Sequence, residues 1–403
     1  MTAALTYKSS LTHTLILVFS WITMGAYAQR EALSDNAIVS VITCGPGTEL
    51  YSSFGHSAFR VQDSARGIDW IYNYGTFDFN TPNFYSKFAR GKLLYALSKQ
   101  RFENFLYVYQ LENRWVKEQI LDLSSKEKTA LFGFLERNHE PDNRFYKYDF
   151  LFENCSTKIP EVLQDVLGDD LKYKPFPEET PYTFRDLIHQ NLLTNSWSSF
   201  GIDLALGAVI DKTATPLQYM FLPNYVLRQL DNTSLTGKSL VSRERTILDF
   251  NNVNRGNFFT TSPLFWLCIL LLFTATITYI DYKNAVRSRF LDIFLFSMTG
   301  LVGLLVCFLW FLTDHQATAL NMNFLWAFPL NIVFAIGVIR NGKIADWIPK
   351  YVMILLGLLV LMILLWLFRF QQFSPLLIVL LITLGIRYTF LLYHYKKMKG
   401  SGS

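Results

Sequence analysis

The stretch 148-YDFLFENCSTKIPEVL-163 joins an aromatic, strand-like run to a helical pattern, and a lone cysteine sits at the join. Ile159, Val162, Leu163, Val166 and Leu167 recur at the three-to-four-residue spacing of a helix with one buried face. Asn154 is a favoured N-cap, which predicts Cys155 in the first turn, one turn ahead of Ile159 and pointing toward the buried side. Free amide hydrogens and the helix dipole at such an end stabilise a thiolate, lowering a pKa that is ordinarily about 8.5. Pro160 is comfortable only in a first turn. Either the helix begins nearer Ser156 or Thr157, or it starts at Asn154 and is kinked; both variants leave Cys155 at the amino end.

A thiol so placed needs a base, and the region around it offers three histidines, His56, His139 and His189. In 43-TCGPGTELYSSFGHSAFRV-61 the alternation of His56, Ala58 and Arg60 with Ser57, Phe59 and Val61 reads as a strand entered through a glycine. The run 69-DWIYNYGTF-77 follows a short connection containing Gly67 and predicts a hairpin that brings Tyr72 and Asn73 near His56, with the register open. A helix-start cysteine packed on a sheet that carries a histidine is the arrangement of papain-like nucleophiles, in which a third polar group orients the imidazole. Asn73 is the candidate for that group, with Tyr72 behind it. The plainer alternatives are a strand histidine that is merely hydrogen-bonded, an Asn-Cys-Ser that is merely a cap, and a disulfide between Cys155 and Cys44. The absence of H-E-x-x-H and C-x-x-C speaks against a zinc site, and no G-x-S-x-G elbow or Gly-rich phosphate loop is present.

Outward from this region the texture changes. Over 403 residues the chain is 51% hydrophobic, 16% aromatic and only 17% charged, with a mean hydropathy of +0.21; that is too apolar for an ordinary soluble enzyme and predicts a membrane protein. Residues 1–28, with Lys8, the apolar run Leu15 to Phe19 and the Ala26-Tyr27-Ala28 ending, read as a signal peptide cleaved after Ala28, the alternative being a retained anchor. Residues 29–262 are mixed polar and aromatic, enough for one exported domain with its own core. Residues 263–399 hold five apolar runs, at 264–282, 290–312, 324–339, 350–368 and 375–393, each near the ~20 residues that cross a bilayer; Pro329 interrupts the third. The closing Gly-Ser-Gly-Ser, 400–403, reads as a tag remnant. Lys283, Arg287 and Arg289, then Arg340, Lys343 and Lys350, then Lys396, Lys397 and Lys399 concentrate basic charge on one side of the spans. The loop 313-TDHQATALNMN-323 has none and belongs on the other side, with the exported domain. The net charge of +5 thus argues topology and no nucleic-acid partner. Cys268 and Cys307 fall within spans, as small apolar residues.

The phrases TCGPGTELYSSFGHSAFRV, YNYGTFDF, YDFLFENCSTKIPEVL, FGIDLALGAVIDK, MFLPNYV and TDHQATALNMNFLWAFPLN together resemble the Lnb-type bacterial lipoprotein N-acyltransferases over most of the mature chain. The resemblance implies an α+β periplasmic domain, a circularly permuted relative of the NlpC/P60 (papain-like) thiol enzymes with histidine ahead of cysteine. A bundle of about five transmembrane helices in the inner membrane would follow it. It carries the catalytic roles onto His56 and Cys155, and puts Lys158 where the family usually has arginine. It implies transfer of a fatty acyl chain, through a Cys155 thioester, to the N-terminal α-amine of a diacylglyceryl lipoprotein, with membrane lipid as a candidate acyl donor, diacylated lipoprotein as acceptor and no cofactor. Asn154, Ser156 and Thr157 are then candidates for oxyanion binding or positioning. Asp314, His315, Asn321 and Asn323, on the domain's side of the membrane, are candidates for contacting substrate or, alternatively, a solvated turn. A membrane-bound thiol hydrolase acting on phospholipid or cell-wall peptide, and a non-enzymatic sensor or scaffold with a Cys44–Cys155 disulfide, are the competing readings.

Overall fold

Alternation in the first half of the exported region builds a sheet with two buried faces. A computed structural model describes residues 32–174, 181–250, 258–339 and 347–400. Residues 1–28, read above as a signal peptide, Arg340 and Lys343, and residues 401–403 of the stretch read as a tag remnant lie outside the described residues. In chain order the domain runs β1 (Ile38–Cys44), β2 (His56–Asp63), β3 (Ile68–Thr76), α1 (Phe84–Ala89), β4 (Leu94–Arg101), α2 (Phe102–Leu111), β5 (Val116–Leu121), α3 (Ser125–His139), β6 (Phe145–Lys147) and α4 (Lys158–Leu167). It continues through β7 (Leu171–Tyr173), α5 (Phe184–His189), α6 (Trp197–Ala205), α7 (Pro223–Asp231), β8 (Thr233–Leu235), β9 (Lys238–Ser239) and β10 (Val241–Leu248). Seven strands form one antiparallel sheet in the order β10-β5-β1-β2-β3-β4-β6, and β7-β8-β9 form a small second one.

On one face of the large sheet Phe59, Val61, Tyr72 and Tyr74 pack with Leu131 and Leu135 of α3 and with Ile159, Val162 and Leu163 of α4. On the other, Ile42, Ala58 and Ile71 pack with Phe102, Phe105 and Tyr109 of α2. Fully burying one such side chain contributes about 1.5–3 kcal/mol, so the helical and strand periods read from the sequence are also what hold α4 and β2 together. α4 starts at Lys158, which puts Pro160 inside its first turn and leaves it unkinked.

The second half comprises α8 (Pro263–Asn284), α9 (Arg289–Phe311), α10 (Asn331–Ile339), α11 (Trp347–Leu367) and α12 (Leu377–Gly400). Among the described residues four helices are long and apolar enough to cross a membrane, those of α8, α9, α11 and α12. The expected run 324–339 is not one helix. A 3-10 turn at Met322–Leu325 is followed by Pro329, and α10 has 9 described residues, about 14 Å of helix, or half a hydrocarbon core. Proline lacks the amide a continuous helix requires. Asn331 instead restarts the chain as a buried anchor, donating to Thr299 Oγ1 at 2.8 Å and accepting from the Tyr351 hydroxyl at 2.6 Å. At the far end Arg387 joins three helices by donating to Asp281 and Asp292 at 2.7 and 2.6 Å.

Candidate functional site

Cys155 lies at a gap that the sheet makes for it. β2 and β3 pair from Asp63–Ile68 to Phe59–Tyr72, and the β3–β4 register shifts between Asn73 and Thr76. The shift centres on Gly75, whose φ of +89° is a conformation other residues adopt only with strain; a Cβ there would sit 3.5 Å from that of Cys155. Ahead of this bulge, Asn73 shares the face of Ile71 and meets the His56 ring, and His56 Nε2 donates to Asn73 Oδ1 at 2.6 Å. An oxygen that only accepts fixes the proton on Nε2 and leaves Nδ1 to the Cys155 thiol, which is within hydrogen-bonding reach of the ring.

The turn ahead of α4 is organised by Asn154 rather than by the helix itself. Its Oδ1 accepts from the amides of Ser156 and Thr157 at 2.7 and 2.9 Å, while its Nδ2 donates to the carbonyls of Phe150 and Phe221 at 2.7 and 2.9 Å. Two expectations are corrected here. Cys155 is in this turn, before the first helical residue Lys158, and not in the first turn of the helix. The Ser156 and Thr157 amides are spent on Asn154, so they position the turn and are not free to bind an oxyanion. The Cys155 amide has no hydrogen-bond partner among the described residues. Lys158 is tied to Glu153 and Glu161 at 2.6 and 2.8 Å.

The electrostatics separate the domain's two thiols. Burial alone would raise Cys155; the adjacent His56 cation, its hydrogen bond, the Ser57 amide and the Ser156 hydroxyl outweigh this and bring the thiol down to about 7. Burial likewise disfavours a charged His56, yet the Cys155 thiolate and the hydrogen bonds to Cys155 and Asn73 raise it above its ordinary value. Cys44, buried and opposite His56 in the β1–β2 register, is pushed up to about 12 by desolvation. Both cysteines are free thiols in this structure, so the disulfide alternative is not what the fold displays. Chemically, a partly buried thiol brought down to about 7 beside an imidazole raised above its ordinary value can serve as a nucleophile with its own acid at hand.

Other expected residues fall elsewhere. Tyr72 is one position from Asn73 and therefore on the opposite face, where its hydroxyl donates to Glu136 of α3; strand alternation forbids both neighbours from reaching one imidazole. His139 bonds the Leu97 carbonyl and His189 bonds Asp203, neither facing the thiol. The loop 313–323 divides into an exposed start and a buried end. Asp314 pairs with Lys147 at 2.8 Å and His315 meets the Phe88 carbonyl at 3.2 Å. Asn321 and Asn323 are fully buried, donating to the carbonyls of Leu204 and Asp203 at 2.9 Å, and Asn323 Oδ1 accepts from Trp326. These amides seat α6 on the bundle. Beside them Gly207 passes so close that a Cβ would lie 1.8 Å from the Ala319 carbonyl oxygen. The sequence reading missed Ser57 and Gly75, although the YNYG phrase held the signal of a glycine inside a strand pattern.

The fold defines a membrane protein: an antiparallel α+β domain set on a bundle of apolar helices. The family model described as the Lnb N-terminal periplasmic domain matches residues 26–190, and that described as the Lnb transmembrane domain matches residues 254–399. The chain belongs to the Lnb family, which makes it a membrane-associated lipoprotein-processing protein with its first domain in the periplasm. No curated protein and no solved structure matches it.

Proposed function

We propose that this protein is a lipoprotein N-acyltransferase in which Cys155 carries the acyl chain, His56 moves the protons and Asn73 orients His56. The observation that carries the reading is the Cys155–His56–Asn73 cluster, with a thiol brought down to about 7, in a domain seated directly on membrane helices. The Cys155 thiolate attacks the carbonyl carbon of a lipid ester, and the carbonyl electrons move onto oxygen, for which the Cys155 amide, with no partner among the described residues, is the candidate donor. Collapse breaks the ester C–O bond, the departing alkoxide takes the His56 Nδ1 proton, and a thioester remains. The α-amine of a diacylated lipoprotein then attacks the thioester. Neutral His56 takes the amine proton as the thiolate leaves, which restores the ion pair and forms the amide. Asn73 keeps Nε2 protonated throughout.

The test is mass spectrometry of a lipoprotein's N-terminal peptide from cells lacking other N-acyltransferases and supplied with the wild-type or the Cys155→Ser protein. A third acyl chain is expected with wild type alone. Its appearance with both removes Cys155 as the nucleophile, and release of free fatty acid without N-acylation makes the protein a hydrolase.

A further inference from the structure

Between β3 and β4 the chain leaves large aromatic side chains uncovered. Phe79, Tyr85 and Phe88 are 68%, 81% and 51% exposed. They belong to a continuous cluster: Phe79 meets Phe84 at 4.9 Å between ring centroids, Phe77 meets both Phe84 and Tyr95, and Tyr95 stacks on Tyr148 at 4.2 Å. Tyr148 in turn is close enough to Cys155 to feel its charge. A contiguous apolar patch of this kind marks an interaction surface.

Its position says what covers it. α1 hangs from the loop that follows α9: the Arg90 carbonyl accepts from the Asp314 amide at 2.9 Å, and the Phe88 carbonyl meets His315. His315 is only four residues past Phe311, the last residue of α9, so at most ~3.6 Å per residue confines the contact to within about 15 Å of the helix end. There Phe311 and Leu312, and Trp266 near the start of α8, present exposed apolar surface of the sort that lipid covers on a spanning helix. Exposed Arg90 and Lys92 flank the aromatic residues, the pairing that suits an anionic bilayer surface.

We propose that the segment 77–94, the β3–β4 connection and the first residue of β4, is a membrane-contact element, which seats Phe79, Tyr85 and Phe88 at the headgroup–acyl boundary and offers the aromatic cluster as the path of an acyl chain to Cys155. The path rests on the acyltransferase reading; the contact with lipid does not. Continuity with the bundle and the basic flank point to the bilayer itself as the occupant.

The test uses the full chain in phosphatidylcholine–phosphatidylglycerol proteoliposomes with a trace of phospholipid carrying a diazirine near the ester end of one chain. After irradiation, lipid adducts are expected on peptides covering 77–94 as well as on α8 and α9. In a Phe79→Ser/Tyr85→Ser/Phe88→Ser protein, adducts over 77–94 should fall at least fivefold while those on α8 and α9 persist. Adducts confined to the helices, or protein–protein cross-links through 77–94 in their place, overturn the contact. The same variant should lose at least tenfold in acylation of Cys155 from bilayer lipid and less than twofold from a short-chain water-soluble ester; equal losses overturn the path. Failure of the unaltered protein to be acylated by either donor counts against the acyltransferase reading, and the adducts then decide the contact alone.

Discussion

Two polar stretches of this chain look alike on paper and behave oppositely in the fold. Residues 154–157 and 313–323 both bring asparagines and hydroxyl groups to the domain's side of the membrane. In the second, Asn321 and Asn323 are buried with their amide groups spent on backbone carbonyls more than a hundred residues away. In the first, Asn154 is equally spent, but spending it leaves the neighbouring thiol and its amide available. A polar group with every bond satisfied holds structure; reactivity belongs to the neighbour whose bonding capacity is left over.

Breaking the first stretch should have the largest consequence. Asn154→Ala removes all four side-chain hydrogen bonds and releases the turn, so N-acylation, followed by mass spectrometry, should fall by about a hundredfold or more, since a misplacement near 1 Å costs about that much. If activity stays within threefold, Asn154 does not hold the thiol in place.

Asn73→Ala sharpens the roles inside the cluster. A loss of roughly 10–100-fold is expected, with a change in the pH profile that a purely structural defect would not give. Acylation of Cys155 needs the thiolate and the protonated imidazole together. The wild-type rate should therefore climb as pH rises through about 7 and decline once pH passes the raised pKa of His56. Because Asn73 helps to raise that pKa, its removal should move the declining limb to lower pH. An unmoved limb in the pH–rate profile would sink the assignment.

The seating stretch should respond in stability. Asn323→Leu leaves the Asp203 carbonyl and the Trp326 indole unpaired and should cost about 2–3 kcal/mol, read as a lower melting temperature in detergent, with the Cys155 titration unchanged. The smallest effect belongs to Asp314→Asn. Its pair with Lys147 is solvent-exposed, so turnover should stay within twofold; a larger fall would restore this loop as a substrate contact.

Much of this arrangement is visible in the linear chain. Alternation around His56 and helical spacing after Cys155 report faces that burial then enforces, and the hairpin brings Asn73 to His56. The same hairpin reading misplaced Tyr72, because adjacent strand residues cannot share a face. Pro329 is legible as an interruption, but not the restart of the helix at Asn331, which finds Thr299 and Tyr351 on two other helices.

Taken by itself, then, the sequence determined the division into a periplasmic domain and membrane helices, and it singled out a thiol and a histidine as candidates. These rest on local period, local charge and residue type. Only the tertiary structure decided which amides around Cys155 are already occupied, which thiol is brought down and which is pushed up, and that the 313–323 loop is a seat. A hydrogen bond or a nearby charge depends on groups brought together from distant parts of the chain, and no local pattern records whether a donor has been spent.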